Sequence, residues 1–301
     1  MPRMHDIARI AAPQHGAMAI EQLDDLGVPA TTRRQWARAG FLHRVHGRVV
    51  AVGHPNLSFR GRCMAAVLAF GPGAHLTGPA AAYLRGAIRY EPRVIDVVAT
   101  AGRRRQVRGV RVRSAATPLP DIECGRLDAI PVVSVARMLV DLADTYAVTR
   151  LAAVMHELAF LELLDLDAFE RCLHRLRRRK GPTHRRCRQA LMLHTSGSAG
   201  TQSAFERRGL DRLLECGAPM AEITPRFQFG RKVRRPDLLY RSRGLAVEFD
   251  GGTGHDRNRA RNDDRVKEEQ FASIGIDTLR VREKTFEPDI QRVLHRLGIR
   301  R

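Results

Sequence analysis

The sequence predicts an α/β protein in three parts: a winged helix-turn-helix over residues 1–52, a mixed α+β middle over 53–195, and a C-terminal α/β domain over 196–301. Three observations predict it. The first 52 residues read as helix, helix-turn-helix and two short strands. The last hundred read α-β-β-β-α-β-α, with carboxylates on the strands. The 301-residue chain also carries a net charge of +20, with 48 arginines and four lysines (Lys180, Lys232, Lys267, Lys284).

In the first part, His5 to Ala12 places Ile7, Ile10 and Ala11 at helical spacing. Ala19 to Leu26 does the same with Ile20, Leu23 and Leu26, and Gly27 stops it. Thr31 is a candidate cap for a third helix through Arg38, closed by Gly40. Phe41 to Val52 reads as two strands turning near Gly47. This order is the winged-helix pattern. Its third helix offers Thr31, Thr32, Arg33, Arg34, Gln35 and Arg38 to phosphates and base edges. A winged helix used only for protein contacts has the same pattern.

The middle begins with an apolar helix, Cys63 to Phe70, and a second helix starting at Thr77 or Gly78 and reaching Tyr83. Val94 to Thr100 and Val107 to Val112 read as strands flanking the basic turn Arg103–Arg105. Ser134 to Ala143, Val148 to Leu161 and Asp165 to Arg178 read as helices, and residues 177–182 as a linker-like basic run. A solvated helix end explains that run, and so does a phosphate contact.

In the last part, Ser196–Gly200 is a flexible lead-in and Thr201 to Glu215 a helix with Phe205, Leu210, Leu213 and Leu214 apolar. Ile223 to Phe229 and Val233 to Tyr240 read as a hairpin turning at Gly230-Arg231. Gly244 to Asp250 is a short strand, Asp263 to Ile274 a helix closed by Gly275, and Thr278 to Val281 a buried strand. Pro288 opens a last helix with Ile290, Val293, Leu294 and Leu297 on one face.

Composition narrows the function. The arginine excess favours a polyanionic partner, above all nucleic acid, because a guanidinium fork matches phosphate geometry; a GC-rich genome is the alternative source of the arginines. Five dispersed cysteines without a CxxC pair exclude a zinc site and a disulfide framework as readings. The sequence shows neither an apolar leader nor an 18-residue apolar run, so no signal peptide and no membrane contact are expected, and a cytoplasmic location is.

The chemistry gathers near residue 250. Carboxylates on core strands are costly unless paired or bound to a metal. Asp237 follows Pro236 on one strand, and Glu248 and Asp250 stand two apart on the next, so they share a face. Such oxygens suit Mg²⁺, which polarises a phosphodiester and acidifies an attacking water. The glycines of 251–254 allow close backbone approach, and His255 follows. Read alone, His255 is structural; beside the carboxylates it is a candidate acid–base group.

Asp237, Glu248-Phe249-Asp250-Gly251, His255, Asp264, Lys267, Phe271, Gly275 and Leu279-Arg280 together resemble the C-terminal domain of proteins related to very-short-patch-repair endonucleases, within the PD-(D/E)xK restriction-endonuclease-like superfamily. The resemblance covers residues 200–298. It implies a Mg²⁺-dependent nuclease fold with metal ligands Asp237, Glu248 and Asp250, and an assisting carboxylate at Glu206; an exposed helix charge is the other reading of Glu206. Asp250 stands where the superfamily usually has a lysine, which the very-short-patch-repair group also lacks, and Gly254 stands where an aromatic often precedes the histidine. Residues 20–53, 71–82 and 134–143 resemble AbiEi-type antitoxins, which implies DNA binding and a cognate toxin partner.

Three readings follow. One is a DNA endonuclease docked by the winged helix. Another is a non-enzymatic DNA-binding regulator or antitoxin on a degenerate nuclease fold. The third is a basic protein that binds nucleic acid by charge alone.

Overall fold

The computed structural model describes residues 4–100, 106–176, 181–195, 203–230, 232–250 and 257–299; the side chains of 257–264 lie outside that description. The expected basic turn Arg103–Arg105, most of the run at 177–182, the Ser196–Gly200 lead-in, Arg231 and His255 therefore fall outside the described residues. The protein is a mixed α/β chain with several sheets. It divides into two compact units: Met1–Tyr146 with Val154–Cys187, and Ala147–Ala153 with Arg188–Arg301. Among the described residues no helix is long and apolar enough to cross a membrane.

The first unit opens with α1 (Met4–Ala11), β1 (Ala17–Ala19), α2 (Ile20–Asp25), α3 (Ala30–Arg38), β2 (Leu42–His46) and β3 (Val49–Val52). The three strands form an antiparallel sheet in the order β1-β3-β2. Strand β1 was not expected; at three residues it is too short for an alternating pattern, and all three are buried. Ile7, Met18, Leu23, Val28, Leu42 and Val50 form the core, against which Trp36 packs edge-on to Phe41 at 5.7 Å. Thr31 is not the cap of α3. Pro29 holds that position without a side-chain bond, its fixed φ of −61° suiting the helix entry.

The rest of this unit comprises α4 (Phe59–Phe70), β4 (His75–Thr77), α5 (Gly78–Leu84), β5 (Ile95–Thr100), β6 (Val110–Ala115), β7 (Cys124–Leu127), β8 (Ile130–Val133), α6 (Val135–Leu142) and α8 (Leu166–Arg175). Between α6 and α8 runs α7 (Val148–Phe160), and after α8 comes α9 (Pro182–Thr195). Ser58, Ser134 and Asp165 cap α4, α6 and α8 through their side chains, each accepting a backbone N–H three residues on. Five strands make one mixed sheet, β6-β5-β4-β8-β7. The pair β7 and β8 was missed; Asp128 and Ala129 turn it with positive φ, which a glycine-based turn search overlooks.

A buried ionic cluster ties this unit together. The Arg137 guanidinium donates to Glu123 Oε2 at 2.8 Å and to Asp141 Oδ1 at 3.1 Å, and Thr77 Oγ1 donates to Asp141 Oδ2 at 2.7 Å. Burial works against the Glu123 charge, but Arg175 and Arg137 outweigh it and hold its carboxyl below the usual range. None of the five thiols is in a disulfide: Cys63, Cys172, Cys187 and Cys216 are buried and Cys124 is partly so. Burial pushes Cys63 and Cys172 up to about 12.

The second unit contains α10 (Ala204–Glu215), β9 (Glu222–Ile223), β10 (Phe227–Phe229), β11 (Lys232–Arg234), β12 (Leu238–Tyr240), β13 (Leu245–Asp250), α11 (Arg257–Ala272), β14 (Asp277–Arg282) and α12 (Phe286–Arg296). The expected single hairpin is two pairings. Strands β10 and β11 form a separate two-stranded ribbon, while β9 and β12 join the sheet β14-β13-β12-β9. Pro225 and Pro236, which cannot donate to a ladder, stand at the breaks. Strands β13 and β14 run parallel, joined through α11; the others are antiparallel.

Alternation assigns the faces. Leu239 and Ala246 pack with Phe271 of α11, Phe227 and Phe229. On the opposite face Phe249 meets Phe205 of α10 edge-on at 5.8 Å, and Phe205 meets Phe286. Gly209 lies against the Phe249 ring so closely that a Cβ would overlap it. Pro288 is the third residue of α12, two positions later than expected, because a short 3₁₀ turn at Glu283–Thr285 leads directly into Phe286.

Candidate active site and nucleic-acid surface

Glu248 and Asp250 lie on the Ala246 side of β13, toward its carboxyl end, and Asp237 stands just before β12 at the same end of the sheet. The carboxyl ends of parallel strands are where α/β sheets commonly place ligands. Asp237 Oδ2 accepts the Phe249 backbone N–H at 2.7 Å, which fixes that carboxylate beside β13. Burial pushes the Asp237 carboxyl up, the Phe249 N–H pulls it down, the Glu206 charge raises it and the Lys267 charge lowers it. Burial likewise pushes Glu248 up, against the pull of Lys267, and the Asp237 charge adds to the rise. Asp237, Glu248, Glu206 and Lys267 thus act on one another electrically.

Lys267 was quoted in the sequence motif but given no role. Its ammonium reaches from α11 to 2.6 Å from Glu248 Oε1 and donates to the Arg235 carbonyl at 3.1 Å. The Glu248–Lys267 contact is a half-buried ion pair at the sheet end. The signal that could have found Lys267 is scarcity: in a chain with only four lysines, one stands four residues before a core phenylalanine.

Glu248, Asp250, Lys267, Glu268, Thr278 and Arg280 line a hollow of about 170 Å³. Thr278 Oγ1 is a buried polar atom there without a hydrogen-bond partner. The hollow is open, since Glu248 and Lys267 keep 19 % and 20 % of their side-chain surface exposed. Asp250 is exposed at its rim. Among the described residues no three His, Cys, Asp or Glu form a group ready to hold a metal. The donor chemistry nonetheless suits a hard cation: the Asp237 and Glu248 carboxylates lie within electrostatic reach of each other. His255, the acid–base candidate, lies outside the described residues.

In the first unit, α3 buries none of its residues. Thr31, Arg34, Gln35 and Arg38, spaced i, i+3, i+4, i+7, are exposed along one stripe, and Thr32 and Arg33 are half-buried beside it. The Arg33 guanidinium pairs with Asp24 of α2. Asp24 also holds Arg48 of the β2–β3 turn at 3.3 Å, and Arg48 pairs with Glu21 at 2.6 Å. The stripe is therefore braced from α2 and the hairpin turn. A larger open hollow of about 1280 Å³ in this unit is lined by Glu21, Asp25, Arg48, His75 and Arg126 among others.

No known family profile matches the chain, and no curated protein matches it in sequence.

Proposed function

We propose that the chain is a Mg²⁺-dependent DNA endonuclease: a C-terminal restriction-endonuclease-like domain that hydrolyses phosphodiester bonds, docked on the duplex by an N-terminal winged helix. One observation carries the reading: Asp237 and Glu248 stand together at one sheet end, with the Lys267 ammonium against Glu248. A chain with net charge +20 has little need for buried carboxylates at a surface hollow unless they perform chemistry.

Asp237 and Glu248, with Asp250 at the rim, would hold the cation. Bound Mg²⁺ would supply charge neutralisation on the phosphate and a more acidic water. Lys267 replaces, from α11, the lysine whose usual position is taken by Asp250. Its ammonium is placed to hold negative charge developing on the phosphate. Asp237 is positioned by the Phe249 N–H, and Glu206 keeps like charge near it. The α3 stripe of Thr31, Arg34, Gln35 and Arg38 suits a major groove, with Thr32 and Arg33 beside it.

The test is cleavage of supercoiled, linear and single-stranded DNA with Mg²⁺ or Mn²⁺. Nicking or cutting that is lost in Asp237→Ala is expected. Absence of cleavage on every DNA form overturns the reading. Among the described residues no three-residue metal group is ready-made, which favours one rival, a DNA-binding regulator or antitoxin with a toxin partner. Sequence-specific binding without cleavage, retained in Asp237→Ala, would establish it instead.

A further inference from the structure

Beside the carboxylate hollow, the outer edge of the second unit's sheet carries a feature that the catalytic reading does not use. Strand β14 is an edge strand. In register with Glu248 and Asp250 of β13 it places Arg280 and Arg282. A second hollow of about 380 Å³ follows, walled by Arg265, Arg280, Arg282 and Arg292, and it shares Glu268, Thr278 and Arg280 with the first. A third of about 390 Å³ shares Leu279 and Arg292 with the second and adds His295 and Arg296. Through these shared residues the three hollows adjoin one another, from the carboxylates along the β14 edge, as one trench-like surface.

Edge strands often carry charge simply to prevent strand addition. Scattered surface arginines would serve that purpose. Here the Arg280 and Arg292 guanidinium groups are instead held by carboxylates, and Arg282 is fixed through its backbone. Asp289, 2 % exposed, accepts the Arg282 backbone N–H at 2.9 Å and the Thr285 hydroxyl at 2.8 Å, and pairs with the Arg292 guanidinium. Glu268 accepts from Arg280 Nε at 2.9 Å. Four guanidinium groups wall the second hollow with the Glu268 carboxylate, while Asp289 and Glu269 pair with Arg292 and Arg265, so the wall keeps a net positive charge, and the planar forks held at Arg280 and Arg292 suit phosphate oxygens.

We infer that this trench is a phosphate track: Arg265, Arg280, Arg282 and Arg292 bind the backbone phosphates that flank the phosphodiester presented to Asp237 and Glu248. The inference rests on the nuclease reading for its direction but not for its binding. It makes the substrate a polynucleotide extending beyond the scissile bond, not a mononucleotide or a terminal phosphate.

The test uses the full chain and a short fluorescent DNA duplex in a metal-chelating buffer, with affinity measured over a range of salt. Neutralising Arg282 and Arg292 together (Arg282→Gln with Arg292→Gln) is expected to lower the slope of log affinity against log salt by about 1.8, at about 0.9 per lost phosphate contact. The pair Arg282→Lys with Arg292→Lys keeps both charges and should retain the slope. An unchanged slope in the Gln pair overturns the inference. So does an equal loss in the Gln and Lys pairs, because the change then acts through the fold. Should the Gln pair not fold, Arg265→Gln, whose side chain is 72 % exposed, replaces it with an expected fall of about 0.9. Cleavage is scored separately. Loss of slope in a protein that never cuts leaves the track standing and removes the nuclease, whereas cutting with an unchanged slope does the reverse.

Discussion

Lys267→Met removes an ammonium 2.6 Å from Glu248 Oε1 while keeping most of the side-chain volume. At that separation the gross attraction is about 6 kcal/mol at an effective dielectric of about 20. Desolvation of both ions offsets much of it, and deleting one partner of a fully buried pair costs about 3–5 kcal/mol. With about a fifth of each side chain exposed, water recovers part of that loss, so about 2 kcal/mol at neutral pH is expected. The sign with pH follows from the carboxyl. Burial already holds Glu248 above its unfolded value, so folded protein binds the proton more tightly and stability falls as pH rises through that window. Without Lys267 the folded value rises further, and the fall is larger. The gap between variant and wild type should therefore be full at neutral pH and close as the carboxyl protonates. Urea unfolding followed by circular dichroism in chelating buffer, from about pH 4 to about pH 8, measures it. A gap independent of pH, or smaller than about 0.5 kcal/mol throughout, would refute the electrostatic account of this pair.

Asp237→Asn should abolish cleavage yet raise thermal stability by about 0.5–2 kcal/mol, since burial and the Glu206 charge penalise the ionised acid while an amide oxygen can still accept the Phe249 N–H; a destabilised variant in a melting experiment would contradict this. Gly209→Ala should lose about 1–3 kcal/mol in urea titration by forcing α10 off the Phe249 ring. Arg137→Met should lose about 3–5 kcal/mol, because Asp141, 0 % exposed, would lose its guanidinium partner while Glu123, 1 % exposed, would keep only Arg175. Arg34→Ala with Arg38→Ala should weaken duplex binding and reduce its salt slope by about 1.8 while leaving cleavage at saturating enzyme intact, as gel-shift and nicking assays would register.

The elements with strong periodicity or clear caps were legible in the sequence. Helices α1, α6, α10 and α12 lie within a few residues of expectation because each carries an apolar stripe at helical spacing, and serines cap α6 and α10. Strand β13 was legible because apolar residues lead into paired acids. What escaped were short strands whose existence depends on partners: β1, held between α1 and β3, and β7 with β8, turned by non-glycine residues. Adjacency of Asp237 and Glu248 followed from strand alternation once the two strands were paired. The place of Lys267 did not follow, since nothing in residue spacing says which turn of α11 faces the sheet end. The role of Asp289 was equally hidden; it reads as a first-turn helix acid, and only the fold brings Arg282 and Arg292 onto it.

Four of the five thiols are sealed inside the fold, and burial holds two of them up to about 12. Thiolate, not thiol, is the species that reacts with alkylating reagents. Native molecules therefore carry a set of silent reporters, and a reagent left with the protein would record each opening of the chain as an irreversible tag. Mapped residue by residue, Cys63 and Cys172 would time the opening of the first unit and Cys216 that of the second. No label would have to be introduced to learn whether the two come apart together.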